Sequence, residues 1–138
     1  MTQVAMSATI QASADKVWEL VSDFNALPKY SEAIISSSLE GEGVGAVRTL
    51  TLGDDSQAKE KLESLDNQKK TLTYSIVEAG LPIKNYLSTV AVKETVSNQC
   101  EVSWSSTFEP DGGPEAEGKN AIEGLYAVCF EGLKKYFG

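Results

Sequence analysis

The stretch Gly45–Leu65, GAVRTLTLGDDSQAKEKLESL, reads as two strands joined by a polar turn. Strict alternation puts Ala46, Arg48, Leu50 and Leu52 on one face of the first arm, and Ala58, Glu60 and Leu62 on one face of the return arm. A turn centred near Asp54 sets Leu50 opposite Ala58 and Arg48 opposite Glu60. An arginine and a glutamate then lie side by side on the apolar face of a hairpin. Burying charge is costly unless it is paired and hydrogen-bonded. The pair is therefore either a pin for strand register or the polar end of a site.

Working outward, the same period of two recurs. Val4, Met6, Ala8 and Ile10 mark an opening strand, and Ala33–Leu39 is β-rich. Beyond the hairpin, Leu72, Tyr74 and Ile76 share a face, as do Tyr86, Ser88, Val90 and Val92, and then Val102, Trp104, Ser106 and Phe108. Short turns at DNQKK and SNQ make these successive strands an antiparallel meander.

Two segments change period. Ser13 is a natural N-cap, Asp15 suits the first turn, and Val17, Leu20, Val21 and Phe24 follow at helical spacing. Pro28 ends that run, and LPKYSEAI reads as a further short turn of helix. At the far end, Pro114 suits a helix start and Lys134 and Lys135 its last turn, with Ile122, Leu125, Cys129, Leu133 and Tyr136 as a stripe widened by Tyr126 and Phe130. One long helix and one sheet each have a single face to bury, so each covers the other. The expected class is α+β: a curved antiparallel sheet wrapped around a long C-terminal helix, with two short helices after the first strand.

Composition narrows the function. The 138 residues show no compositional break, so one domain spanning 1–138 is expected. A net charge of −8 argues against nucleic acid and anionic membrane surfaces as partners. The opening MTQVAMSATIQAS has neither the basic start nor the apolar run of a signal peptide, and nothing approaches the ~20 apolar residues of a membrane span; a cytoplasmic protein without membrane insertion is expected. Cys100 and Cys129 sit in apolar contexts and read as buried, reduced thiols. The chain contains no histidine, which removes Ser-His-Asp and Cys-His catalysis, imidazole zinc sites and the usual base near neutral pH. Two glycine patterns read as chance matches. GEGVGA is followed by a strand where a dinucleotide loop needs a helix, and the GxxxxGK at Gly113–Lys119 is followed by asparagine and carries acidic residues that would repel phosphate.

The order of elements is that of the helix-grip fold. SATIQASADKVWELVSDFNALPKY resembles the opening of the START-like superfamily, in its polyketide cyclase/dehydrase (SRPBCC) branch. GVGAVRTL, KEKLESLD, TLTYSIVEAGLPIKNYLSTVAV and VSWSSTFEP extend the resemblance over essentially the whole chain. Within that branch the pattern is most similar to the lachrymatory factor synthase-like proteins. The resemblance implies a catalytic set of an arginine and a glutamate on neighbouring strands with a tyrosine on a later one, which match Arg48, Glu60 and Tyr86. It requires no metal or organic cofactor. The hairpin between Arg48 and Glu60 is shorter than expected for the plant enzyme, which bears on the cavity rim.

A curved sheet gripping one helix cannot fill its own concavity, so an apolar pocket is expected. Leu50, Leu62, Tyr74, Ser88, Val90, Trp104 and Phe108 would line it from the sheet, and Tyr126 and Phe130 from the helix. The sequence supports a monomer or weak dimer that binds a small hydrophobic molecule at an Arg/Glu/Tyr polar end. The alternative is a cofactor-independent isomerase, lyase or cyclase in which Glu60 moves a proton, Arg48 holds a polarised oxygen and Tyr86 donates to it.

Overall fold

The computed structural model describes residues 1–138. The first strand, β1 (Thr2–Ile10), leads into helix α1 (Ala14–Val21) and a 3-10 turn at Leu27–Lys29. Six strands follow: β2 (Ile34–Glu40), β3 (Val47–Leu52), β4 (Gln57–Asp66), β5 (Thr71–Glu78), β6 (Ile83–Val96) and β7 (Gln99–Pro110). The long helix α2 (Glu115–Phe137) closes the chain. This is the helix-grip α+β arrangement that the order of elements and the family resemblance imply.

All seven strands form one sheet in the order β1-β7-β6-β5-β4-β3-β2, and every pairing is antiparallel. From β2 to β7 each strand pairs with its predecessor, while β1 adds to the far side of β7. The first two strands thus occupy opposite edges, and the segment joining them must cross the concave face. That crossing places α1 and the 3-10 turn over the sheet. Register shifts in β2, β4 and β6 bend the strands locally, as bulges do, and help the sheet curve.

Local chemistry explains the helices. The Ser13 hydroxyl accepts from the Lys16 amide at 3.3 Å, and Asp15 lies in the positive first turn of α1. Pro114 is the residue before α2, extended at φ −68° and ψ 152°, so the helix begins one residue later than a first-turn proline implies. Gly118 and Lys119 are inside α2, so the GxxxxGK stretch forms no phosphate loop. The stripe of α2 is buried at Ile122, Cys129 and Leu133, and half-buried at Leu125. Tyr136 departs from it: the residue is 53% exposed and packs edge-on against Phe137. In the last turn it is Phe137, not Tyr136, that packs against the core.

The core is one continuous apolar cluster between the concave face, α1 and α2, and Trp18 belongs to it. Cys100 and Cys129 are free, buried thiols. No helix is long and apolar enough to cross a membrane.

Candidate functional site

The β3–β4 hairpin pairs Arg48 with Glu60 and Leu50 with Ala58. Its turn is tight: the Leu52 amide donates to the Ser56 carbonyl at 2.9 Å, and the Asp54 carboxylate accepts from the Ser56 amide at 3.0 Å. With the turn fixed, the period of two carries both charges inward. Arg48 is 4% exposed and Glu60 9%.

Arg48 is held on every side. Its Nε and Nη2 donate to one oxygen, Glu60 Oε1, at 2.9 and 2.7 Å, and Nη1 donates to the Phe24 carbonyl at 3.0 Å. The guanidinium carbon lies 3.9 Å from the centroid of the Phe24 ring and 5.0 Å from that of Tyr74. Burial works against the charge, but the facing Glu60 carboxylate, with Tyr74 and Tyr30, outweighs it and holds the guanidinium above its ordinary value. Phe24 reaches this position because the chain turns back after α1, where the Ala26 amide donates to the Asp23 carbonyl at 3.0 Å. Glu60 Oε2 has no partner in the protein, and it is not among the sealed polar atoms that lack one. It is therefore open toward the interior space.

That space is a cavity of about 290 Å³ lined by 22 residues, 15 of them hydrophobic. Arg48, Glu60 and Tyr86 all line it, as do Leu50, Tyr74, Trp104 and Tyr126. Leu62, Ser88, Val90, Phe108 and Phe130 are instead packed in the interior behind the wall. The strand residues among them face the concave side as their alternation requires, while Phe108 and Phe130 lie against aromatic residues that do line the space. The Phe108 ring stacks on Tyr86 at 6.3 Å, and Phe130 meets Trp104 edge-on at 6.1 Å.

The wall also contains residues that the strand pattern did not single out as ligand contacts. Leu27, Ser31 and Ile34 come from the segment crossing the sheet, and Ile122, Leu125 and Cys129 from α2. The mouth lies between the hairpin tip, at Asp54, Ser56 and Gln57, and the β5–β6 connection, at Ala79, Gly80 and Leu81. A signal for the α2 residues was present, since their helical stripe was legible; it marked an inward face without distinguishing core from cavity. The loop residues carried no such signal.

A second polar group lies along the wall. The Tyr86 and Tyr126 hydroxyls are hydrogen-bonded to each other, Ser88 Oγ contacts the Tyr126 hydroxyl at 3.0 Å, and Ser88 Oγ donates to the Ser105 carbonyl at 3.1 Å. Trp104 Nε1 donates to the Tyr74 hydroxyl at 2.9 Å. The nearby Ser106 hydroxyl is sealed with no partner. Tyr86 thus lines the same cavity as the ion pair, but its hydroxyl is bonded to Tyr126, with no hydrogen bond to Arg48 or Glu60. Burial holds the Tyr74 and Tyr86 phenols well above their ordinary value, raises Tyr126, and pushes the Cys129 thiol up to about 12. These groups stay protonated near neutral pH and act through hydrogen bonds. The side chains form no cluster of three or more histidine, cysteine, aspartate or glutamate residues placed to hold a metal ion.

Comparison with known proteins gives a consistent result. A family model described as polyketide cyclase / dehydrase and lipid transport matches residues 1–138. The abscisic acid receptor PYL2 of Arabidopsis thaliana is 27% identical over 135 residues, covering 90% of this chain and 71% of the receptor. The structure of the protein XoxI of Bacillus cereus superposes with a TM-score of 0.93 at 36% identity, covering 99% of this chain and 96% of that one. A Bacillus thuringiensis protein superposes with a TM-score of 0.92 at 37% identity, covering 99% of this chain and 98% of that one.

Proposed function

Because this chain belongs to the polyketide cyclase / dehydrase and lipid transport family of the START-like superfamily, we propose that it binds a small hydrophobic ligand in the cavity between sheet and α2, with Arg48, Glu60 and Tyr86 forming its polar end. The observation that carries the proposal is a largely apolar cavity of about 290 Å³ with a buried ion pair in its wall. Ligand sites combine apolar walls with a few placed polar groups, and this volume suits a compact organic molecule. The likeness to a receptor named for abscisic acid supports a small-molecule role of this kind.

Native mass spectrometry and ligand-observed NMR against a library of small apolar molecules test it. Stoichiometric binding that Leu50→Trp abolishes is expected, because Leu50 lines the cavity and an indole there would fill it. A library that yields no binder to the wild-type protein would sink the reading.

One feature favours a second reading, a cofactor-independent isomerase, lyase or cyclase. Glu60 presents Oε2 without a protein partner toward the cavity, while Oε1 is anchored by Arg48. A positioned carboxylate with one free oxygen is equipped to take and return a proton. Turnover of a cognate substrate that survives Glu60→Gln unchanged would remove this assignment.

A further inference from the structure

Hydrogen-bond polarity around the cavity dictates what a ligand must bring. An indole N–H can only donate, so in the Trp104–Tyr74 contact the tyrosine oxygen accepts. That bond does not use the phenolic proton of Tyr74, and Tyr74 lines the cavity. Tyr74 is therefore a donor toward the ligand.

Tyr86 has the opposite polarity. A backbone carbonyl can only accept, so Ser88 spends its single proton on the Ser105 carbonyl. In the 3.0 Å contact between Ser88 and Tyr126, the serine oxygen must then accept and Tyr126 must donate. With that proton committed, the Tyr126 oxygen accepts from Tyr86. Tyr86 consequently shows the cavity an oxygen lone pair and no proton. This departs from the donor role that the isomerase or lyase alternative gives Tyr86.

The ion pair completes the pattern. Glu60 Oε2 is an open acceptor, and the Arg48 charge is compensated by Glu60 and covered by the Phe24 and Tyr74 rings. Asp54 at the mouth adds a second carboxylate. With Glu60, Asp54 and Tyr86 the wall offers three acceptors, and its two carboxylates face the single Arg48 guanidinium, which is already bonded to Glu60.

Resting on the reading of the cavity as a ligand site, we propose that it selects neutral molecules that carry a hydroxyl or enol on an apolar body, and that it rejects carboxylates. A hydroxyl can donate to Glu60 Oε2 or Tyr86 while accepting from Tyr74. A carboxylate has no proton to offer these acceptors and would meet two carboxylates, Glu60 and Asp54, against one guanidinium already bonded to Glu60.

Isothermal titration calorimetry with three probes sharing one bicyclic body tests this: 2-naphthol, 2-methoxynaphthalene and 2-naphthoate. We expect 2-naphthol to bind about tenfold or more tightly than either of the others, the scale of one hydrogen bond to a charged acceptor. Tyr74→Phe, which keeps the ring and removes the donor, should weaken 2-naphthol several-fold. Naphthoate binding as tightly as naphthol, or methoxynaphthalene matching it, overturns the selectivity and leaves the ligand-binding reading intact. Absence of binding by all three overturns that reading and the selectivity with it. The wild-type comparison decides between these outcomes even if the variant does not fold.

Discussion

Arg48 combines a structural and a chemical role, and the two can be separated by substitution. Its guanidinium is buried against Glu60, Phe24 and Tyr74, so Arg48→Met would leave Glu60 unpaired in an apolar wall. Breaking a buried pair in this way costs about 3–5 kcal/mol, whereas replacing both members with apolar residues is often neutral or stabilising. Urea denaturation should therefore show a large loss for Arg48→Met and a far smaller change for the double variant Arg48→Met, Glu60→Leu. Equal losses in both would mean that packing, and not charge, holds this corner. The pairing itself was legible in the sequence because a short polar turn and a period of two leave one register. Its other partners were not. The Phe24 carbonyl and ring arrive from a segment 24 residues away, and Tyr126 reaches Tyr86 from 40 residues away, contacts that no local pattern encodes.

At the scale of elements, α2 is the component that closes the cavity, and two of its glycines have opposite meanings. A Cβ on Gly132 would lie 1.3 Å from the Tyr30 carbonyl oxygen, so α2 seats directly on the segment that crosses the sheet. A Cβ on Gly124 would meet nothing within 4 Å, and that position is exposed. Gly132→Ala must push α2 off Tyr30 and should cost at least the ~1–3 kcal/mol of an overpacked core. Gly124→Ala should add about 0.5–1 kcal/mol by favouring the helix. Thermal unfolding of the two variants reads the contrast, and a stabilised Gly132→Ala would refute the close approach. The sequence marks both positions only as glycines within a helical segment. It shows that α2 exists and which face is apolar, while the contact that fixes its height above the sheet is a tertiary fact. The same holds for the bulge between Leu62 and Ser64 in β4, which bends a strand whose alternation looks unbroken.

For the molecule as a whole, the interior is an uncharged polar environment around one compensated ion pair, and this makes stability sensitive to alkali. Burial raises the Cys129 thiol to about 12 from 9.0, raises Cys100, and holds Tyr74, Tyr86 and Tyr126 above 10.0. Each of these groups keeps its proton in the folded state at a pH where the unfolded chain has lost it. Between the two values the unfolded state binds fewer protons, so unfolding becomes easier as pH rises. The contribution is fully present below the unfolded value and is lost as pH climbs through the folded one. Each group withdraws about 1.4 kcal/mol per pH unit inside its window. Stability should hold up to about pH 9, decline between pH 9 and 10 through the two thiols, and fall more steeply above pH 10 as the tyrosines join. Chemical denaturation across this range measures the profile, and the double variant Cys100→Ser, Cys129→Ser isolates its first part. That variant should flatten the decline between pH 9 and 10 and keep the steeper fall above it, because the tyrosines remain. A profile unchanged by removing both thiols would mean that they do not keep their protons in the folded state, and that the wall beside Cys129 is wetter than its burial implies.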